Sequence, residues 1–194
     1  MKNAGFGKRL LAYILDTLII SIVASLIIVF IPMEEVDTKD ANNTMESYLE
    51  GEITANEYIK EVSTVNYELE QSRIPSYIVS LSLMFIYFVI VQYKLGGQTV
   101  GKKILNIKVE STKGKLNVNQ LIFRSLIINE IAFNMLNLVS IFVFKNATFS
   151  TVSGVLNMAN VALILICAVM VIANKDKRGL HDMIAKTKVV ELKN

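Results

Sequence analysis

Residues 10–31, LLAYILDTLIISIVASLIIVFI, hold one charge, Asp16, in 22 positions. As a helix this run is about 33 Å long, enough to cross a hydrocarbon core of about 30 Å. Its fifteen Leu, Ile, Val and Phe residues each contribute roughly −0.3 to −0.6 kcal/mol to insertion, outweighing the roughly 2.5–3.5 kcal/mol cost of an aspartate. Lys2, Lys8 and Arg9 precede the run as they would in a signal peptide. It is too long for that, however, contains a carboxylate, and ends at Ile31-Pro32-Met33 without a small-residue cleavage site.

Apolar runs at about 75–93, 121–144 and 153–173 are also long enough to span. They predict an all-α polytopic membrane protein, a single domain over 1–194 with four transmembrane helices. Tyr13, Tyr77 and Tyr93 fall near the span ends, where aromatic residues favour the interface. The formal net charge of +3 hides a segregation: segment 33–74 holds eleven acids against Lys39, Lys60 and Arg73, a net of −8, whereas 94–120 carries +5 and the tail 174–194 carries +3. Sixteen of the twenty Lys and Arg residues fall on one side, which the positive-inside rule makes the cytoplasm. Both termini are then cytoplasmic and the 33–74 insert extracytoplasmic.

Within the insert, Tyr58, Val62, Val65 and Leu69 recur at helical spacing and predict one short amphipathic helix. The loop is either a solvated acidic insert or a docking surface for a cationic partner. On the cytoplasmic side, Gly96-Gly97-Gln98-Thr99-Val100-Gly101-Lys102 fits the nucleotide-binding pattern G-x-x-x-x-G-K, but Lys103 stands where Ser or Thr must hold magnesium, and an apolar helix precedes the loop instead of a strand. No nucleotide is expected. Leu105, Ile107 and Val109 alternate with Asn106, Lys108 and Glu110, and Lys113-Gly114 marks a turn before Leu116 and Val118, which predicts a β-hairpin, with Thr187 to Leu192 as a possible third strand. The lysines of this cap suit anionic headgroups; without interleaved aromatics they do not suit nucleic acid.

Polar residues inside the spans narrow the functional question, because each must be paired or line a wet cavity. Arg9, Ala12 and Asp16 share one helix face. Glu130, Asn134 and Asn137 form a stripe on the third span, and Ser153, Asn157 and Asn160 a matching one on the fourth. The two helices are antiparallel, so the asparagines can face one another, either as interhelical glue or as a hydrated path. Asp16 and Glu130 either pair with a cation, for instance Arg124, or serve transport. Cys167 and His181, one of each, exclude an internal disulfide and a multi-ligand Cys or His metal site. No nucleophile and base fall at catalytic spacing, so neither enzyme activity nor a cofactor is expected.

Three ordered segments, GFGKRLLAYILD at 5–16, GGQTVGKKILNIKV at 96–109 and RGLHDMIAKTKVV at 178–190, resemble the RDD family, small polytopic membrane proteins of bacteria and archaea named for an arginine and two aspartates. Matched by motif these are Arg9, Asp16 and Asp182. The insert departs from the family pattern, and four spans exceed the three often assigned. The resemblance implies a bacterial plasma-membrane protein that exchanges small monovalent cations for protons, or alternatively a non-catalytic scaffold or regulatory subunit of another membrane protein; because four helices barely enclose a path, transport would favour a homo-oligomer. On physical grounds Asp182 is expected to latch onto Arg9, Asp16 to be the titrating or cation-binding group, and His181 to make the latch sensitive to pH.

Overall fold

The computed structural model describes residues 2–34, 36 and 39–192. Residues 35, 37 and 38 of the acidic insert, Lys193 of the basic tail and both terminal residues lie outside the described residues. The elements are α1 (Phe6–Ile28), α2 (Lys39–Leu49), α3 (Ala55–Ser72), α4 (Ile74–Phe85), a π-turn (Ile86–Val91), α5 (Gln92–Lys94), α6 (Val100–Ile104), β1 (Ile107–Ser111), α7 (Val118–Ile128), α8 (Ile131–Val143), α9 (Asn146–Ala173), α10 (Leu180–Ile184) and β2 (Thr187–Glu191).

Among the described residues, three helices are long and apolar enough to cross a membrane: α1, the continuous helix Ile74–Lys94 formed by α4, the π-turn and α5, and α9. The interior of α1 is made of small and polar side chains, with Ala12, Asp16 and Ala24 buried while Leu18, Ile22 and Leu26 face outward. This arrangement suits lipid, which offers apolar side chains no reason to turn inward. The single span expected over 121–144 is instead two helices, α7 and α8, bent by 66°. The break lies at Asn129 and Glu130, where Glu130 adopts the left-handed region (φ 60°, ψ 8°), a conformation no α-helix can carry through. Among the described residues there are therefore three candidate spans, or four if the bent pair is one.

The expected β-hairpin is absent from the described residues, and the small sheet is built otherwise. β1 pairs antiparallel with β2, Val109 opposite Val189. Residues 116–118 form no strand because Asn117 caps α7: its side chain accepts from Gln120 N (2.9 Å), and the Gln120 side chain accepts from Asn117 N (3.2 Å). This reciprocal box commits the segment to a helix start. The N-terminus joins the sheet as Ala4 N donates to Val189 O (2.9 Å). Ala4, Ala12, Val89, Ile107, Val109, Leu121 and Val189 form one buried cluster, so cap and membrane bundle share a core. Gly97 permits this closeness: its φ is +94°, and a Cβ there would lie 2.1 Å from Val109 O.

The insert holds two helices, α2 and α3, where one was expected. A capping box of Thr54 and Glu57 opens α3, and α3 folds back onto the bundle. Buried Tyr67 packs edge-on against Phe149, centroids 5.5 Å apart, and donates to Ile141 O (3.0 Å), one of the last carbonyls of α8, which have no partner within their own helix. Tyr67→Phe is expected to destabilise the protein by about 1–3 kcal/mol, the cost of a buried carbonyl left unpaired, read as a lowered thermal midpoint in detergent.

Candidate functional site

The two motif aspartates lie on different helices, Asp16 on α1 and Asp182 on α10, and each is fully buried. Asp182, on α10, accepts from Arg9 Nη1 (2.7 Å) and from Arg124 Nη1 of α7, with Thr187 Oγ1 (3.2 Å) and Gly179 N (3.4 Å) as further donors. Arg178 secures the backbone beneath it, donating to Asp182 O (3.2 Å) and Thr187 O (3.0 Å). One carboxylate thus binds α1, α7, α10 and β2 together. The two guanidiniums are almost wholly shielded, their side chains 10% and 8% exposed. Arg124 is therefore the partner of Asp182, neither of Asp16 nor of Glu130 as the sequence allowed.

Asp16, on α1, is held by four donors from two other segments. Tyr87 Oη (2.6 Å) and Gly101 N (2.8 Å) donate to Oδ1, Thr99 Oγ1 (2.5 Å) donates to Oδ2, and Lys102 Nζ stands 3.6 Å from Oδ2. Three of these groups come from the segment that imitates a phosphate-binding loop. Its capping hydroxyl, free backbone N–H and lysine bind an anion as such loops do, but the anion is the chain's own carboxylate. A Cβ on Gly101 would lie 2.4 Å from Ala12 O and 2.9 Å from Asp16 Oδ1; only glycine lets the loop approach so closely. The π-turn brings Tyr87 to the site, since one residue extra in the turn re-aims the side chains around it.

Lys102 and His181 are the titratable bases of this junction outside the spans. Burial, with Arg124 adding repulsion, lowers Lys102 to about 8 despite the opposing attraction of Asp16. Burial and the cations Arg124, Arg9 and Lys102 push His181 well below its ordinary value, so it is neutral near pH 7 beside Asp182. The unfolded chain binds more protons than the folded one below about pH 6.5 for His181 and between about pH 8 and 10.5 for Lys102. In those windows stability is expected to rise with pH by up to about 1.4 kcal/mol per unit, with neither group contributing between them. Unfolding midpoints across pH 5–10 for wild type, His181→Asn and Lys102→Met measure this.

Glu130 behaves differently from the aspartates. It is half-buried and, among the described residues, forms no ion pair; the Tyr13 phenol is beside it. It lines a cavity of about 340 Å³ together with Arg9, Lys102, Arg124 and His181. One turn along α8, Asn134 and then Asn137 line a second, polar cavity of about 580 Å³ with Glu70, Tyr77, Ser153 and Asn157. Asn137 Nδ2 donates to Asn157 Oδ1 across the helices (3.3 Å), whereas Asn160 is buried elsewhere.

Thr99, Gly101, Lys102, Tyr87, Thr187 and Arg178 are site residues that the sequence reading does not assign to the site. A signal existed for the first three, since a capping threonine before G-K marks an anion-binding turn. Nothing in the sequence announces the π-turn that delivers Tyr87.

The fold and site define a polytopic-type membrane protein organised around one arginine and two buried aspartates. The RDD family model matches residues 3–186, and the chain belongs to the RDD family. It is 28% identical over 190 residues, 97% of each chain, to the uncharacterized protein YxaI of Bacillus subtilis (strain 168). No solved structure matches it.

Proposed function

We propose that this RDD-family protein carries small monovalent cations or protons across the plasma membrane, with α7 and α8 as a broken fourth span, both termini cytoplasmic, and no covalent reaction. The observation that carries this reading is the break at Glu130. It leaves an accessible carboxylate in one cavity, and the stripe Asn134–Asn137 continues from it into a second. Discontinuous membrane helices expose backbone and polar groups at substrate sites in many transporters. Glu130 is the carrier in this reading and Asp16 a fixed support, because all near donors of Asp16 are already engaged. Four crossings barely enclose a path, which favours a homodimer or larger assembly.

In proteoliposomes loaded with a pH-sensitive dye, addition of sodium, potassium or lithium should change internal pH. Glu130→Gln should reduce the response to the protein-free background while leaving the thermal midpoint near wild type. A folded wild-type protein giving no response to any of the three cations contradicts the transport reading. It would favour the scaffold alternative, for which the closed Asp16 and Asp182 networks supply rigid support.

A further inference from the structure

The cavity beside the Asp182 clamp has two unlike walls. Toward the cap it presents Arg9, Lys102, Arg124 and His181; toward the membrane it is bounded by Leu10 of α1 and Leu165 of α9, both exposed on the outer surface of the bundle. Among the described residues, two of these side chains carry a buried nitrogen without a hydrogen-bond partner, Arg9 Nη2 and His181 Nδ1. A buried guanidinium nitrogen without an acceptor is costly, and Asp182 supplies one negative charge for two guanidiniums. The two guanidiniums therefore share a single carboxylate partner. Glu130 lies in the same cavity next to Tyr13 and does not pair with either arginine.

We propose that this cavity binds the phosphate of an anionic membrane lipid, with the acyl chains leaving between α1 and α9 past Leu10 and Leu165. Phosphate oxygens match the planar donors of a guanidinium better than any other common membrane anion, and basic pockets between membrane helices on the cytoplasmic side are suited to anionic headgroups. About 340 Å³ admits a phosphate headgroup but not a pair of acyl chains, which instead lie along the apolar outer faces of the two helices. The site takes up the basic wall of the cavity in which the transport reading places Glu130, but it requires no ion to move, so lipid binding and ion flux are read by separate measurements.

The test uses the full chain, delipidated in a neutral detergent, with phosphatidylglycerol, phosphatidylcholine of the same acyl chains, or inorganic phosphate added. Phosphatidylglycerol at about a hundredfold excess over its Kd should raise the thermal midpoint by about 5 °C and remain bound in native mass spectra. Phosphatidylcholine and phosphate should leave the midpoint unchanged. Ala168→Phe, which fills the cavity, and Leu165→Trp, which narrows its rim, should both remove the shift. Leu165 is 59% exposed, so its replacement leaves the fold intact and decides the matter if Ala168→Phe proves unstable. Equal shifts from both lipids, a full shift from phosphate alone, or an undiminished shift in Leu165→Trp would overturn the proposal.

Discussion

Asp182→Ala is expected to destabilise the folded chain by about 3–5 kcal/mol, the range for removing one member of a buried ionic network. The reason lies less in the lost attraction than in what remains. Arg9 and Arg124 come from different helices, are both about nine-tenths shielded from solvent, and share this one carboxylate. Without it two guanidiniums face each other with no counter-charge, and Thr187 Oγ1 and Gly179 N lose an acceptor. At roughly 2–4 °C per kcal/mol for a chain of this size, the thermal midpoint in detergent should fall by about 10 °C or more. Hydrogen exchange should also rise first in β2, which the clamp holds against β1 and the N-terminus. Asp182→Asn keeps one acceptor oxygen and should lose less. Replacing all three charged residues with apolar ones of similar volume should recover much of the loss, since such networks seldom exceed an apolar packing in net stability. A midpoint unchanged in Asp182→Ala would mean that the arginines are solvated rather than clamped.

Asp16→Ala should be of similar size, about 3–5 kcal/mol, for a related reason. It strands the buried Lys102 ammonium and leaves Tyr87 Oη, Thr99 Oγ1 and Gly101 N without their acceptor. Gly101→Ala reaches the same support from the other side, because its methyl would collide with the Ala12 carbonyl, a backbone atom that cannot step aside. Both variants should loosen the 96–104 loop from α1, read as faster exchange at Gly101 and faster alkylation of a cysteine placed at the exposed Ile104. Asp16→Asn, which keeps the shape and one acceptor, should fall between wild type and Asp16→Ala. Should Asp16→Ala abolish ion flux at unchanged stability, Asp16 would be a carrier and not a support.

The long apolar helices were legible because insertion depends on summed hydropathy, which residues 10–31 and 153–173 display without reference to any partner. Arg9 and Asp16 were legible as polar residues on one face of an apolar helix, and Asp182 through resemblance. Their partners are set by tertiary contacts, so Arg124 could be offered to Asp16 or Glu130 although it binds Asp182. The strand pairing is not legible because alternation at Leu105–Glu110 announces a strand but not its mate, and Asn117 reads as turn or helix cap alike until Gln120 answers it. The break at Glu130 was hidden for a different reason. Asn129-Glu130 carries neither Gly nor Pro, and a left-handed glutamate is a cost imposed by packing rather than a local preference.

The central claim is that Asp16 and Asp182 are closed structural anchors and that Glu130 is the accessible carboxylate of the membrane domain. A membrane-permeant carbodiimide, which couples to carboxyl groups it can reach in an apolar setting, applied to the folded protein and mapped by peptide mass spectrometry, tests it directly. Modification of Glu130 ahead of both aspartates is the predicted result. Modification of Asp16 or Asp182 at a rate equal to or above that of Glu130 would contradict the account.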